Sequence, residues 1–437
     1  MVARSGQAVR AAPEGPDGSI AIDWPVGTVL GFVLLAAVTF LSVLVLADPG
    51  SSDVSKFWLP WMTSLSERGL VAGYAANQTD YPPLAMVVLA AVSAMARALD
   101  IPLFVALKLS LLGFLLATTG TFWGLSRSVA MAAALQLSLV LNSVALGYLD
   151  VYFAPTLLAS LWALRARRPV LFATLFAVTC LIKWQPLLLA PFAGAYLLGD
   201  DAWRAGRWVD RLRNALTLLA LPAGLVVAVT FSVFGTPILL ALIKAGGNYM
   251  LSGEALNLGW VVTHVLHVLD PGRFGPLVGG EATPVQCVRA CGLVLLPFKA
   301  IFLLLYGTVW VAFVRTTRSF DGFAFYALAG CLAYFVADHG VHENHLFLAV
   351  LLAAVCWAQD RTLGKLFLIW ALAANLNLVL FQGFDGRGFP GGRAVLVDAA
   401  LPLSVLVTLL GAWHIAIALR RVGWVSASRL RRAASPA

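Results

Sequence analysis

Three polar clusters, far apart in the chain, carry side chains from which an acid–base site can be built. The segment Ser52-Asp53-Val54-Ser55-Lys56-Phe57-Trp58 offers a carboxylate, and Asp80-Tyr81-Pro82-Pro83-Leu84 offers a second beside a phenol. The segment His339-Gly340-Val341-His342-Glu343-Asn344-His345 gathers three of the chain's six histidines. Each cluster lies just past the end of an apolar stretch. A carboxylate such as Asp53 can take a proton from an attacking hydroxyl, and the imidazoles of His342 and His345 can hold a phosphate. Blander roles compete with these. Asp53 can cap the helix that begins there, Asp80 can brace the Pro82-Pro83 turn, and His342 and Glu343 can be polar residues at a helix entry. His342 and His345 are three apart, which is not the two-His spacing of His-Glu-x-x-His, so a metal is only weakly signalled.

Further groups fall at helix ends. Asp150 follows Gly147-Tyr148-Leu149, and Lys183-Trp184-Gln185-Pro186 closes another apolar run. Lys183 either snorkels beside an interfacial tryptophan or contacts phosphate with Gln185 nearby. The segment Gly383-Phe384-Asp385-Gly386-Arg387-Gly388-Phe389-Pro390-Gly391-Gly392-Arg393 is either a flexible turn or a clamp in which Arg387 and Arg393 grip phosphate. Cys287 and Cys291 share a loop with His264 and His267, but the spacing matches no familiar zinc finger, and a disulfide between them needs a non-helical backbone.

The elements that must position these groups follow from composition. The chain has 437 residues, 60% hydrophobic and 12% charged, with a mean hydropathy of +0.87. Soluble domains keep roughly a quarter of their residues charged, so the expectation is an all-α, polytopic transmembrane helical bundle. Apolar stretches recur near 25–46, 102–124, 129–147, 150–164, 169–184, 186–198, 214–235, 292–314, 320–337, 344–358, 366–382 and 394–419. These are about twelve spans in one domain over 25–419, between a polar segment 1–24 and a basic tail 420–437. The first apolar segment is longer than a signal-peptide core, which favours an anchored span.

The run 84–98 is too short to span comfortably and reads as re-entrant or interfacial. With that reading, one face carries 19 Lys/Arg and the other 8, with Lys108, Lys183 and Lys299 inside helices. Basic loops stay cytoplasmic, so both termini are expected there and all three polar clusters on the outer face. The net charge of +9 then belongs to anchors facing membrane lipids rather than to a nucleic-acid surface. Two outer loops, 47–101 and 236–291, are long. In the first, Phe57, Trp58, Trp61, Met62 and Leu65 recur at helical spacing suited to an interfacial amphipathic helix. Asn77-Gln78-Thr79 is a glycosylation sequon if that face is a lumen.

Taken together, these motifs resemble the GT-C membrane glycosyltransferases, most closely the dolichyl-phosphate-glucose glucosyltransferases of N-glycan precursor assembly. That family's Asp-Tyr-Pro-Pro-Leu stands unaltered at Asp80 to Leu84. Its Gly-Asp-Phe-Glu-Ala-Gln is similar to Ser52-Asp53-Val54-Ser55-Lys56-Phe57, which keeps the Asp and lacks the Glu. Its His-Val-His-Glu-Lys is similar to Gly340-Val341-His342-Glu343-Asn344, without the first His and the Lys. Leu149-Asp150-Val151-Tyr152-Phe153 and Ile182-Lys183-Trp184-Gln185 resemble two further motifs more loosely. The likeness covers roughly 25–360 and, with its departures, suits a divergent or prokaryotic relative.

The resemblance implies a GT-C fold with a structured first outer loop. It also implies inverting transfer of a hexose, glucose favoured, from a polyprenyl-phosphate sugar to a lipid-linked glycan or other glycan acceptor. Asp53 would be the base, while Asp80, Tyr81, Asp150, Lys183, Gln185, His342, Glu343, His345 and Arg393 would bind substrates. No cofactor is required, although a divalent cation is compatible. The location would be the plasma membrane in a prokaryote and the endoplasmic reticulum in a eukaryote. The rival classes are a twelve-span secondary transporter, which should show paired halves with midplane sites, and a lipid-linked glycan ligase or polymerase, which should carry more outer arginines.

Overall fold

A computed structural model describes residues 26–199, 208–247, 250–285, 292–316, 318–388, 393 and 398–433. The expectations for residues 1–24, for Cys287 and Cys291, and for the last four residues lie outside the described residues. The chain is 82% helix with little strand. Among the described residues, seven helices are long and apolar enough to cross a membrane: Val26–Ala47, Leu103–Ser126, Trp208–Phe234, Leu296–Val314, Phe320–Ala337, Arg361–Gln382 and Ala400–Arg421. The remaining apolar stretches are shorter helices, among them Val129–Ala145, Pro169–Ile182 and Glu343–Gln359. A helix rises about 1.5 Å per residue and hydrocarbon is about 30 Å thick, so helix length accounts for seven of the twelve expected crossings.

Burial separates the bundle's centre from its rim. In Phe320–Ala337, 83% of the most apolar window is buried, against 6% in Trp208–Phe234. The central helix is flanked by Gly292–Val314, Phe347–Gln359 and Ala400–Ala433. Polar side chains between helices find one another, as expected where lipid offers no partner. Gln136 donates to Thr39 Oγ1 (3.2 Å) and accepts from Thr119 Oγ1 (3.2 Å). Lys108, almost completely buried, donates to the carbonyls of Val144 (2.5 Å) and Ala145 (2.8 Å). It thereby satisfies carbonyls orphaned at a helix end and secures the turn leading to Asp150.

The first long loop is compact. After Gly50, a π turn Val54–Trp58 runs into helix Leu59–Arg68, and Gly69 (φ +79°) reverses the chain into Leu70–Asn77. Pro82 is extended and Pro83 opens the helix Pro83–Leu99, the position where a missing N–H costs nothing. The aromatic and apolar face read as interfacial is turned inward instead. Trp58, Trp61, Met62 and Leu65 are buried, because Leu59–Arg68 packs on Pro83–Leu99. Ser93 Oγ bonds the Met62 carbonyl across that contact (3.3 Å). Pro83–Leu99, in turn, packs on Leu103–Ser126 and Pro169–Ile182, so it is a bundle element rather than a surface float.

Two glycines set how closely the loops approach. Gly147 (φ +79°) faces Val54, whose Cγ2 lies 2.6 Å from where a Cβ would stand. Gly386 (φ +87°) lies against the Gly50 carbonyl, leaving no room for a side chain. The loop 383–388 therefore rests on the turn that carries Asp53, and Ser51 N–H anchors that turn to the Leu146 carbonyl (2.7 Å). At the opposite helix ends, Arg167 stacks on Tyr196 (4.2 Å) and Arg318 donates to the Ala195 carbonyl (3.2 Å).

This arrangement puts Gln78 and Arg387 at one end of the bundle and Ala166 and Arg318 at the other. In a background without native cysteines, Gln78→Cys and Arg387→Cys should react together with an impermeant thiol reagent added to one membrane face. Ala166→Cys and Arg318→Cys should react only from the other face. Labelling of Gln78→Cys and Ala166→Cys from one face would contradict the arrangement.

Candidate active site

The three polar clusters meet at one cavity of about 550 Å³, lined by Asp53, Asp80, Tyr81, His342, Glu343, Asn344 and His345 among others. What brings them together is a buried ion pair. Asp150 is fully buried and sits 2.9 Å from Lys183 Nζ. Lys183 also donates to Tyr81 OH (2.7 Å), with its ammonium over that ring at 4.4 Å. Asn344 Nδ2 donates to the other Asp150 oxygen (2.7 Å). A backbone frame reinforces this hub. Trp184 Nε1 donates to the Asp80 carbonyl (3.0 Å), and Gln185 Nε2 to the His345 carbonyl (2.7 Å).

Asp53 starts the first helical turn of its segment but accepts no capping hydrogen bond. The capping role is therefore not what holds it. Its carboxyl is pushed up to about 6, first by loss of hydration, with Lys183 and Lys56 pulling down and Asp80 and Asp150 pushing up. A carboxylate so placed is a stronger base than one in water and still ionised near neutrality.

The histidine cluster is also organised. Val341-His342 pairs in parallel with Ser252-Gly253, forming the two-stranded sheet. His345 Nδ1 lies 2.9 Å from Tyr334 OH. Burial pushes the His342 imidazole down from its ordinary value. Burial therefore favours its neutral, hydrogen-bonding form, and the fixed positive charge beside it is that of Lys183. Glu343 is held by Tyr148, whose hydroxyl donates to Oε1, and its carbonyl accepts from Asn377 Nδ2 (2.7 Å).

Three expected site residues do not line this cavity. Asp150 lies behind Lys183, where it neutralises and orients the lysine. Gln185 faces an adjoining cavity. Arg393 is not at either one: its guanidinium pairs with Asp398 (2.9 Å) and Glu281 (3.7 Å) and lies over Trp260 and Phe381. It staples the glycine-rich segment to the second long loop instead of gripping phosphate. Arg387 is exposed and pairs with Asp385 at 3.4 Å. Asn77 of the sequon lines the cavity wall at a helix end.

Residues not singled out as ligands also appear in the wall, notably Glu254, Lys244 and Gln382. Glu254 and Lys244 belong to the second long loop, where the only signal was an isolated charge between apolar runs. Gln382 ends the helix before the glycines. His264 and His267 do not join them, and His267 instead bonds the carbonyls of Gly275 (2.7 Å) and Thr283 (2.8 Å). Among the described residues, no three His, Cys, Asp or Glu side chains form a metal-binding group.

The adjoining cavity, about 440 Å³, shares Asp80, Tyr81, Lys183, Lys244, His342 and His345 with the first. It adds Lys299, paired with Asp338 at 2.7 Å, and an apolar wall that includes Leu187, Leu242 and Phe302. Leu187, Leu242 and Trp184 also border a third space of about 460 Å³ lined almost wholly by apolar residues between helices. The three adjoin through shared wall residues, in the order carboxylates, lysines, apolar groove.

Lys183→Met should destabilise the protein by about 3–5 kcal/mol, the cost of leaving a buried carboxylate unpaired. The double change Asp150→Leu with Lys183→Met should recover most of that loss, because the buried charge is gone as well. Thermal unfolding in detergent measures both; equal destabilisation by the single and double changes would show that the pair is not the constraint. No protein-family model matches the chain, and no curated protein does.

Proposed function

We propose that the protein is a polyprenyl-phosphate-sugar-dependent glycosyltransferase of GT-C type that moves a hexose, with inversion, to a glycan acceptor. The observation that carries this reading is the path of three cavities. Asp53, which caps nothing, stands at one end; Lys183 and Lys244 stand in the middle; and an apolar groove fit for a lipid chain lies beyond. An amphipathic donor needs those three environments in that order.

In this mechanism Asp53 removes the proton from an acceptor hydroxyl as that oxygen attacks the anomeric carbon. The new C–O bond forms while the bond from that carbon to the phosphate oxygen breaks. The departing phosphate diester becomes a monoester and gains negative charge, which Lys183 and Lys244 stabilise where it develops. Neutral His342 and Tyr81 contribute hydrogen bonds. One displacement with one base gives inversion without a covalent intermediate. The shorter helices complete the twelve crossings, leaving both termini cytoplasmic and the site on the outer face, where lipid-linked sugars and glycans meet.

Purified protein in nanodiscs should release polyprenyl phosphate when given polyprenyl-phosphate glucose, mannose or arabinose with membrane glycolipids, and should prefer one donor. No release with any of them, together with solute uptake by proteoliposomes, would instead make it a transporter. Asp53→Asn keeps the shape and removes the base, so turnover should fall by about 100-fold or more with donor binding retained.

The acidity of Asp53 fixes the sign of the pH dependence. Turnover should rise with pH and level off above about 6, as the base ionises. Stability should run the other way, because the folded state prefers the protonated form: the contribution is present below the ordinary carboxylate range and lost as pH rises through about 6. Asp53→Asn should abolish the rising limb; an unchanged limb in that variant would place the base elsewhere.

A further inference from the structure

The first cavity is chemically divided. Lys183 and Lys244, with Asp80, occupy the side shared with the adjoining cavity, while the far side carries Glu254, Asp53 and an aromatic wall of Phe57, Trp58 and Trp61. A phosphate cannot approach two carboxylates without repulsion, so that side is built for a neutral ligand. Its hydrogen-bonding groups are mixed. Carboxylates accept, whereas the indole N–H of Trp58 and the amide of Asn77, both buried, have no partner among the described residues. A buried donor left unpaired costs about 1–3 kcal/mol, and a ligand hydroxyl, which both donates and accepts, would relieve it. The rings of Phe57, Trp58 and Trp61 lie 4.9–6.1 Å from one another, and Phe57 is partly exposed at the cavity. Aromatic faces of this kind suit the C–H face of a pyranose.

Glu254 is the residue most deliberately placed there. Its backbone is left-handed (φ +60°), a strained conformation for a non-glycine residue. The strain is held by its surroundings. Ser252-Gly253 is fixed by pairing with Val341-His342, and the Leu256 N–H is fixed by Asn377 Oδ1 (2.7 Å). Gln382 Nε2 donates to Glu254 Oε2 (3.0 Å) and sets the side chain's direction. Among the described residues no cation lies within ion-pairing distance of Glu254. A half-buried carboxylate that Arg393 and Lys56 attract only from beyond ion-pairing distance, aligned by an amide and fed by a strained backbone, is poorly explained by stability alone.

We infer that Glu254, aligned by Gln382 and facing the Phe57–Trp58–Trp61 wall, binds hydroxyls of a saccharide and forms the acceptor subsite. Glu254 is a specificity-determining residue and does not touch the transferred proton, which belongs to Asp53. This inference rests on the proposed glycosyl transfer for its kinetic consequence, but saccharide binding itself can be measured without turnover.

Two measurements test it, using as probe the glycolipid pool of the native membranes and the water-soluble glycans released from that pool by mild acid. In nanodiscs, with polyprenyl-phosphate sugar as donor, Glu254→Gln should raise the half-saturating glycolipid concentration about tenfold while leaving the donor KM unchanged. Gln382→Ala, which only releases the carboxylate, should shift the same parameter in the same direction by less. Without donor, the released glycans should change tryptophan fluorescence saturably in the wild-type protein, and Glu254→Gln should weaken that binding to a similar degree. A rise in donor KM with unchanged acceptor dependence would overturn the subsite, as would undiminished glycan binding by Glu254→Gln. Glycan binding without any donor turnover would keep the subsite and discard the transfer reading.

Discussion

Everything at the candidate site hangs on one desolvated charge pair. Asp150 has no access to solvent, and its two oxygens are met by Lys183, 2.9 Å away, and by Asn344. Such pairs contribute little net stability, since desolvation offsets their attraction, but losing one partner is severe. The consequence is geometric. Lys183 comes from the end of Pro169–Ile182, Asp150 from the turn before Ala154–Arg165, Asn344 from the entry to Phe347–Gln359, and Tyr81 from the Pro82-Pro83 break. Four chain segments are forced to converge by a group that cannot be buried otherwise. The cavity is the space left beside that convergence, and the lysine's third donor, the one not used by Asp150 or Tyr81, is what it offers to a ligand.

The order of the elements was legible because hydrophobic periods and proline breaks act locally. Pro82-Pro83 had to end one element and could open the next, and helix Pro83–Leu99 does so. Asp53, Asp80, Tyr81, His342, Glu343 and His345, which line one cavity, were legible as candidates because each is a polar group at the edge of an apolar run, where burial needs a reason. What was not legible was direction. Trp58, Trp61 and Met62 have the spacing of a face, and periodicity reports a face without saying what covers it; here it is Pro83–Leu99, not the lipid surface. Asp150 and Arg393 fall outside the cavity lining for a related reason. Each is a charge near the right place whose partner is a distant residue, Lys183 for one and Asp398 with Glu281 for the other. Once satisfied internally, a charge is no longer offered to a ligand.

Glu254 and Lys244 were invisible for the opposite reason. Nothing local marks them, since their meaning comes from a loop folding back onto helices more than a hundred residues away in sequence. The parallel pairing of Ser252-Gly253 with Val341-His342 does this in two residues, and Asn377 completes it by bonding both Leu256 and Glu343. A single buried amide thereby sets the spacing between the histidine cluster and the second loop. Irregular backbone of this kind is tolerated in a membrane protein only where it lines a cavity or is covered by protein. Its presence at a place where carboxylates, lysines and imidazoles meet is therefore a structural argument for the site, independent of which ligand enters.

The division of charge within that space then constrains the chemistry that can occur there. Lysines lie toward the apolar groove together with Asp80 and the Lys299-paired Asp338, while Asp53 and Glu254 lie away from it, with Tyr81 and His342 between them. A ligand that is anionic near its lipid end and uncharged beyond it is attracted by both halves. A soluble anion meets the carboxylates, and a neutral lipid leaves the lysines without a counter-charge. Electrostatic complementarity of this kind selects as much by what it repels as by what it holds. Asp53 gains its basicity from the same arrangement, because burial raises it while Lys183 limits the rise and keeps it ionised near neutrality. The lysine that assembles the site through Asp150 is thus also a group that sets the acidity of Asp53, so packing and electrostatics here are joined in one side chain.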